Sequence, residues 1–485
     1  MKLKELIKNL EVIKFVNFNE NTLNLDIKNL CDNSNSKLKN SAFVCINGLN
    51  FDSHSIVSNL SKKGVVFFVC EKIVNTTLPY VIVKNSRQAL SILADNFFGN
   101  PTKSLKIISI IGTNGKTSTS YFIQKMLKLN NVSCGIIGTS GVYINSKRFN
   151  ETLTTPDPIL LYKLLRKMKE CNCKVVVMEI SAHAIKLNKV DKLVSDVCIF
   201  TNFSQDHLDF FKTMQNYKET KFSYFNNYNV KKAIINVNDV TGEELFLKIR
   251  DKIKCLTYGL STNADICAKN IKCYLNKTEF ELSFLGKNYS LQTKTSCEFN
   301  VLNILSGILA LNELNIKFDI ISTLKKLTNV KGRFNVYKLK NNRYIIIDYA
   351  HTPESLREVL LNTSSLSKNK IISLFGCPGN RDEEKREIMG EIAYKYSKKI
   401  YITSDNPKFE NPLIICNEIL RGAKEKGEII LDREKAIKKA IKNLKNNEIL
   451  LILGKGIEKY QDINGIHFNY SDVKVVKKCI KTLKN

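Results

Sequence analysis

The run Gly112-Thr113-Asn114-Gly115-Lys116-Thr117 follows directly on the apolar stretch Ile107-Ile108-Ser109-Ile110-Ile111 and precedes a helix-like segment from Ser118 to Leu129. Strand, small glycine-containing loop and helix in that order form a phosphate-binding loop. Glycines let the backbone come close to phosphate oxygens, and the loop N–H groups with the helix N-terminus favour the anion. Lys116 would reach the β- and γ-phosphates of a nucleotide such as ATP, and the Thr117 hydroxyl would sit on Mg2+. Gly112, Thr113, Asn114, Gly115 and Ser118 complete the loop. The strict pattern wants a glycine at position 110, where this chain has Ile110. A bare Gly-Lys-Thr is often only a turn, so the flanking strand and helix carry the reading.

Other polar residues with chemical potential cluster where strands end. Near-continuous apolar runs at 105–111, 132–137, 174–180, 197–201 and 233–237 read as parallel strands buried on both faces, and 344–348, 371–375, 398–403, 428–431 and 448–453 repeat the pattern. Ligands of such sheets gather beyond the carboxyl ends of the strands. There the chain places Glu179-Ile180-Ser181-Ala182-His183, Ser204-Gln205-Asp206-His207, Asn236 with Asp239, Asp348-Tyr349-Ala350-His351, Asn380-Arg381-Asp382, Asp405-Asn406-Pro407-Lys408 and Gly454-Lys455-Gly456-Ile457-Glu458. One such terminus is an ordinary helix cap; seven of them on two sheets point to a site between two domains.

The elements that must position these residues divide the chain in three. Phe97-Phe98-Gly99-Asn100-Pro101 and Val330-Lys331-Gly332-Arg333 read as boundaries. The expected fold is α/β: a small mixed α/β domain over 1–100, a central P-loop ATPase-like parallel sheet over 101–330, and a C-terminal Rossmann-like α/β domain over 331–485. Met1 to Phe15 spaces Leu3, Leu6, Ile7, Leu10 and Ile13 as an amphipathic helix would.

Composition narrows the class. The 485 residues are 43% hydrophobic and 25% charged, as in ordinary globular proteins, and no apolar run approaches a membrane span. A cytoplasmic chain without a membrane partner is the default expectation. The net charge of +29 would suit nucleic acid, but the lysines are spread through every segment beside abundant Asn and Ile, with no basic arm, so no nucleic-acid partner is expected. The 14 cysteines lack metal-site spacing and read as small buried hydrophobes.

Taken together, Gly-Thr-Asn-Gly-Lys-Thr, Thr-Thr-Pro-Asp-Pro, Glu-Ile-Ser-Ala-His, Asp-His-Leu-Asp, Gly-Arg-Phe, Asp-Tyr-Ala-His-Thr-Pro and Asp-Asn-Pro resemble, in order and spacing, the Mur ligases. The set is most similar to the UDP-N-acetylmuramoyl-tripeptide synthetases, which add the third residue of the peptidoglycan stem peptide. The resemblance implies a UDP-binding, an ATP-binding and an amino-acid-binding domain in that order. It implies amide-bond formation driven by ATP hydrolysis through an acyl phosphate, on UDP-N-acetylmuramoyl-L-Ala-D-Glu and a diamino acid. A monomer is expected.

By motif matching, Lys116, Glu179, His207 and Lys221 would be catalytic. Thr117, Glu179, His207 and Lys221 would attend Mg2+, with Lys221 as N6-carboxylysine, a carbamate, because Tyr217-Lys218-Glu219-Thr220-Lys221-Phe222 resembles the family stretch that carries one. Asn300 and Asn303 match adenine-side positions, and Arg333, Asp348 and His351 match positions near ribose and phosphates. Asn236 and Asp239 would line the same pocket. Ser34, Thr154, Thr155, Ser181 and Lys189 match the UDP-muramoyl-dipeptide site, and the stretch from Asn47 to His54 resembles a neighbouring uracil-side loop.

The chain departs from the pattern at several places. Asn33-Ser34-Asn35 stands for Asp-Ser-Arg, Ala182 for a serine, Leu187 for a polar residue, Lys189 for an arginine, Phe211 for a histidine and Ile457 for a histidine. Arg381, Asp405, Asn406, Lys408, Gly454 and Glu458 match the amino-acid contacts. Lys408 replaces the arginine that holds the distal carboxylate in the diaminopimelate-adding enzymes; it keeps the charge and loses the bidentate fork. L-Lysine or ornithine has no distal carboxylate for that cation, so meso-2,6-diaminopimelate is the favoured third residue. The alternatives are a lysine- or ornithine-adding enzyme, or a folylpolyglutamate synthetase-like ligase sharing the central domain.

Overall fold

The computed structural model describes residues 1–48, 51–150, 153–226, 230–260, 263–366 and 370–482. Three sheets follow one another along the chain. The first sets Lys14–Val16, Tyr80–Ile82, Val65–Cys70, Ser41–Val44 and Asn29–Cys31 side by side, all parallel except the antiparallel first pair. The long amphipathic helix expected at the N-terminus is absent. Its only helical turn is Leu3–Leu6, Asn9 turns left-handed at φ 62°, and Lys14–Val16 pairs as a strand. Leu3 and Leu6 are fully buried while Ile13 and Phe15 stay exposed, so the apolar spacing served one turn and not four.

The central sheet is larger than the five expected strands. Seven parallel strands run in the order Ile266–Cys273, Lys254–Gly259, Lys232–Asn236, Val197–Phe200, Lys106–Ile111, Val175–Glu179 and Cys134–Gly138. Antiparallel pairs extend both edges, through Thr278–Phe284 and Lys287–Thr293 on one side and Gly141–Ile144 and Lys147–Asn150 on the other. Strand Lys106–Ile111 shows why the site lies here. Ile108 and Ile110 face Phe122 and Ile304, whereas Ile107 and Ile111 face a core shared with Leu161 and with the N-terminal sheet. Burial on both faces, at about 1.5–3 kcal/mol per large aliphatic side chain, fixes the strand's register and so the height at which its loop emerges.

The third sheet orders Asn335–Lys338, Tyr344–Ile347, Glu448–Ile452, Lys370–Phe375, Lys399–Ile402 and Gly427–Ile429, parallel after the first pair. A separate hairpin, Tyr460–Ile463 with Ile466–Asn469, lies beyond it. Two kinds of contact join this unit to the central one. Cys297, Phe299 and Leu275 pack into its apolar core, and Gln205 Nε2 donates to Asp382 Oδ2 at 3.2 Å on the polar side.

Candidate functional site

Gly115 caps helix Lys116–Leu129 in the left-handed region, at φ 84°, and a Cβ there would come 2.8 Å from Asn303 Oδ1. Only glycine serves at this point. The loop is pinned from the next strand: Thr113 N donates to Asn202 O at 3.0 Å, Asn114 N to Asn202 Oδ1 at 2.8 Å, and Thr201 Oγ1 to Asn114 O at 2.7 Å. Lys116 Nζ arches over the loop and donates to the carbonyls of Gly112 and Thr113, both at 2.8 Å. Burial pulls its pKa down, and Glu179 and Asp206 oppose that shift.

Glu179 ends strand Val175–Glu179 and is fully buried. Thr117 Oγ1 donates to it at 2.9 Å and Thr139 Oγ1 at 3.1 Å, while Thr155 Oγ1 donates to its main-chain oxygen at 2.9 Å. Burial raises the Glu179 pKa, and the Lys116 charge opposes this. His207 sits at φ 58° with its Nδ1 buried and without a hydrogen-bond partner. Its Nε2 lies 3.4 Å from Asp206 Oδ2, and burial favours the neutral ring. His183 packs edge-on to it at 4.8 Å. A carboxylate, a hydroxyl and an unpartnered imidazole nitrogen are a donor set that fits a hard divalent cation in its oxygens and tolerates it at the histidine.

Lys221 lies behind this group. It is 1% exposed, its ammonium rests 4.5 Å from the Tyr217 ring centroid, and burial with the nearby Lys116 charge drives its pKa well down. Such burial favours the neutral amine, the form that adds to carbon dioxide.

From the third unit, the Lys455 ammonium is fully buried and donates to Asn406 Oδ1 at 2.8 Å and Glu458 Oε2 at 2.9 Å, with Asp405 Oδ1 at 3.6 Å. Glu458 also receives Tyr349 OH at 3.2 Å and Asn406 Nδ2 at 3.1 Å. Lys408 adopts φ 52°. Its N–H donates to Asp462 O at 3.0 Å and its carbonyl accepts from Asn464 N at 2.7 Å, so the hairpin holds it. Burial and Arg381 both lower its pKa. Asp462 Oδ1 is buried with no partner. Arg333 stacks on Tyr349 at 4.3 Å, and Arg381 Nη1 approaches Asp209 at 3.9 Å.

One cavity of about 360 Å³ joins the two units. Thr113 through Ser118, Thr154, Glu179, Ser181, His207, Arg333, His351, Arg381, Asp405, Asn406, Lys408, Gly454 and Glu458 all line it. Gly112, Thr155, Lys221 and Asp348 are buried and do not line it. Asp348 accepts N–H donors from Phe334 and Ala350, both at 2.7 Å. Asn303 accepts from Thr119 Oγ1 at 3.0 Å behind the loop, and Asn300 donates to Ser296 O at 2.8 Å. Asn236 bonds Thr201 O and Asp239 caps helix Val240–Ile249, so both brace strand ends instead of lining the cavity. Ser34 and Lys189 stand apart from it. Lys189 pairs with Asp157 at 2.7 Å, and Ser34 occupies the turn after Asn29–Cys31. In the Asn47–His54 stretch, Leu49 and Asn50 lie outside the described residues.

Asp206 and Lys455 stood in strand-end runs without a role of their own, and Thr139, Lys385 and Asp462 were not singled out from the sequence. Asp206, Lys385 and Asp462 line the cavity. Thr139 follows strand Cys134–Gly138, so the strand-end rule that found Glu179 would also have found it. Nothing local marks Asp462, whose place depends on the hairpin.

A P-loop with a carboxylate embedded beside its threonine, closed over by a second α/β sheet, defines a nucleotide-dependent enzyme that works between units. Family models describe the two halves of the cavity. Residues 110–311 match the Mur ligase middle domain, and 332–456 match the Mur ligase, glutamate ligase domain. The chain belongs to the Mur ligases, which form amide bonds at the expense of ATP. It is similar to the UDP-N-acetylmuramoyl-L-alanyl-D-glutamate--2,6-diaminopimelate ligase of Aquifex aeolicus, at 39% identity over 94% of each chain. A solved structure of a ligase of that name superposes with a TM-score of 0.72 at 24% identity, over 100% of this chain and 99% of the other. The MurF ligase of Thermotoga maritima in complex with ADP gives 0.62 at 20% identity, over 93% and 97%. No helix among the described residues is long and apolar enough to cross a membrane.

Proposed function

We propose that this chain joins meso-2,6-diaminopimelate to UDP-N-acetylmuramoyl-L-alanyl-D-glutamate, converting ATP to ADP and phosphate. The observation that carries this is the single cavity in which the phosphate loop of one unit faces Arg381 and Lys408 of the next. The central unit takes ATP, the N-terminal unit the UDP moiety and the C-terminal unit the amino acid. Asn300, Asn303 and Asp348 brace the nucleotide side, and Ser34 and Lys189 mark the path of the UDP-linked substrate. On this reading the chain works on its nucleotide-linked precursor in the cytoplasm as a monomer, with no nucleic-acid or membrane partner.

In the first step the glutamyl carboxylate oxygen attacks the γ-phosphorus, and the bond to the ADP oxygen breaks. In the second, the diamino acid's amine attacks the acyl carbon, phosphate leaves and the amine loses its proton. Two anions meet in the first step, so Lys116 is placed to follow the transferring phosphoryl group. Thr117, Glu179 and His207, with Lys221 as its carbamate, would hold Mg2+, whose charge offsets the repulsion between the two anions. Docking of the C-terminal unit keeps water from the acyl phosphate. The Lys408 cation favours a diamino acid with a distal carboxylate over L-lysine or ornithine. The match extends through the N-terminal sheet, which argues against a folylpolyglutamate synthetase-like ligase. The test is ADP release and product mass with diaminopimelate, L-lysine and L-ornithine in turn. Ligation of L-lysine in preference to diaminopimelate would refute the assignment.

A further inference from the structure

Cys45, His54 and Cys70 each turn a donor atom toward one point in the N-terminal unit, far along the chain from the phosphate loop. The three atoms lie within 4.8 Å of one another, and all three residues are buried. Parallel pairing sets Val44 opposite Val69, which brings Cys45 and Cys70 side by side at the carboxyl ends of their strands. His54 enters from the short helical turn Ser53–Ile56. Its Nδ1 meets Asp52 Oδ1 at 2.5 Å, and Lys72 Nζ holds Asp52 Oδ2 at 2.7 Å. The carboxylate therefore fixes the tautomer with the proton on Nδ1 and leaves the Nε2 lone pair facing inward, where it accepts Glu71 N–H at 3.0 Å.

A carboxylate on the far nitrogen of a histidine is the usual support of a metal-ligating imidazole. We propose that Cys45 Sγ, Cys70 Sγ and His54 Nε2 form a site for one thiophilic divalent cation of the zinc class. Binding releases two thiol protons. The two thiolates cancel the metal's charge, so the buried assembly is neutral. Zn–S and Zn–N bonds of about 2.3 and 2.0 Å require the donors to draw in by about an ångström, which side-chain rotation supplies. The cation takes the place of Glu71 N–H at Nε2, and three protein donors leave a fourth tetrahedral position for water. The site would tie two strand ends to the loop whose Asn47 and Asp52 pair and whose Asn47 carbonyl accepts from Arg87.

The experiment uses the full chain, reduced and free of oxygen, titrated with Co2+ and then Zn2+. The expected result is a thiolate-to-cobalt absorption band that saturates at one equivalent and is bleached by Zn2+. Cys70→Ser and Cys45→Ser abolish the band, and His54→Gln and Asp52→Asn weaken binding about tenfold or more. Cys134→Ser, at a buried cysteine elsewhere, leaves it intact. Circular dichroism verifies that each variant is folded, and Asp52→Asn, outside the core, gives a readout should a cysteine variant not fold. A reduced wild-type chain with no such band overturns the proposal. So does a band indifferent to Cys70→Ser and Asp52→Asn, or a Cys45–Cys70 disulfide forming on mild oxidation in a chain that takes up no metal when reduced.

Discussion

At the central-unit end of the cavity, Lys116 rests on two carbonyls of its own loop, Lys221 lies against an aromatic ring and His207 Nδ1 has no partner. At the C-terminal end, the fully buried Lys455 is shared among Asn406, Glu458 and Asp405. One end keeps charges poorly satisfied, and the other consumes them in a closed network. Unmatched buried polar groups are costly, so they persist where reacting groups complete them. The matched network instead stiffens the Asp-Asn-Pro loop and fixes where Lys408 stands. In that scheme Glu458 is committed to Lys455, Tyr349 and Asn406, while Asp462 Oδ1 alone remains open among the amino-acid-side carboxylates described here.

Removing the under-satisfied groups should therefore abolish chemistry and spare the fold. Lys116→Ala is expected to lose about a hundredfold or more in rate, since it contacts charge that develops during transfer. Wild-type turnover by the folded variant would break the phosphate-loop reading. Lys221→Ala should be nearly inactive and partly restored by a short carboxylic acid that stands in for the carbamate. Because burial lowers the Lys221 pKa, more of its amine is neutral at a given pH, and the modification should survive to lower pH than on an exposed lysine. An unmodified Lys221 in active enzyme, read by intact mass under bicarbonate, would sink that assignment.

The opposite signature is expected at the closed network. Lys455→Met strands the buried Asp405 and the half-buried Glu458 carboxylates and should destabilise the chain by about 3–5 kcal/mol, seen as a fall in the denaturation midpoint. Unchanged stability would erase the contrast between the two ends. Lys408→Ala should raise the KM for diaminopimelate about tenfold to a hundredfold and leave that for ATP alone, with Lys408→Arg neutral or better. If Lys408→Ala instead improves the use of L-lysine and leaves diaminopimelate unaffected, the specificity argument fails and the ligase reading stands. The smallest effect should come from Asp462→Asn, about tenfold in the KM for diaminopimelate through a weakened distal ammonium contact. A larger loss from Glu458→Gln than from Asp462→Asn would reverse their assignment.

How much was legible depended on whether the chemistry was local in the chain. The loop from Gly112 to Thr117 is read together with the apolar strand before it and the helix after it, all contiguous in the chain. Glu179, Arg381 and Glu458 were found because parallel strands deliver ligands at their carboxyl ends. The antiparallel edges were missed for a physical reason. Thr278–Phe284 alternates buried and more exposed positions, so its polar face masks it among connecting residues. The N-terminus erred the other way, because five spaced aliphatics look helical whether or not one face finds a core. Asp462 is placed by a hydrogen bond to Asn406, 56 residues away, and no spacing rule reaches that far.

Among the described residues the polar contacts between the central and C-terminal units are slight: they include Glu298 N–H to Asn362 Oδ1 at 3.1 Å, Gln205 Nε2 to Asp382 Oδ2 at 3.2 Å and a loose ion pair at Arg381–Asp209. Contacts of this kind are individually worth no more than about 1 kcal/mol in water. Such a clasp cannot by itself hold the cleft shut, whereas a nucleotide and an amino acid held from both sides can. Substrates then act as the adhesive of the closed state. Turnover changes that adhesive, since ATP becomes ADP and phosphate while the amino acid is joined to the UDP-linked substrate. Scattering profiles should contract when all substrates are bound and relax after turnover; profiles that stay the same throughout would show that the clasp alone suffices.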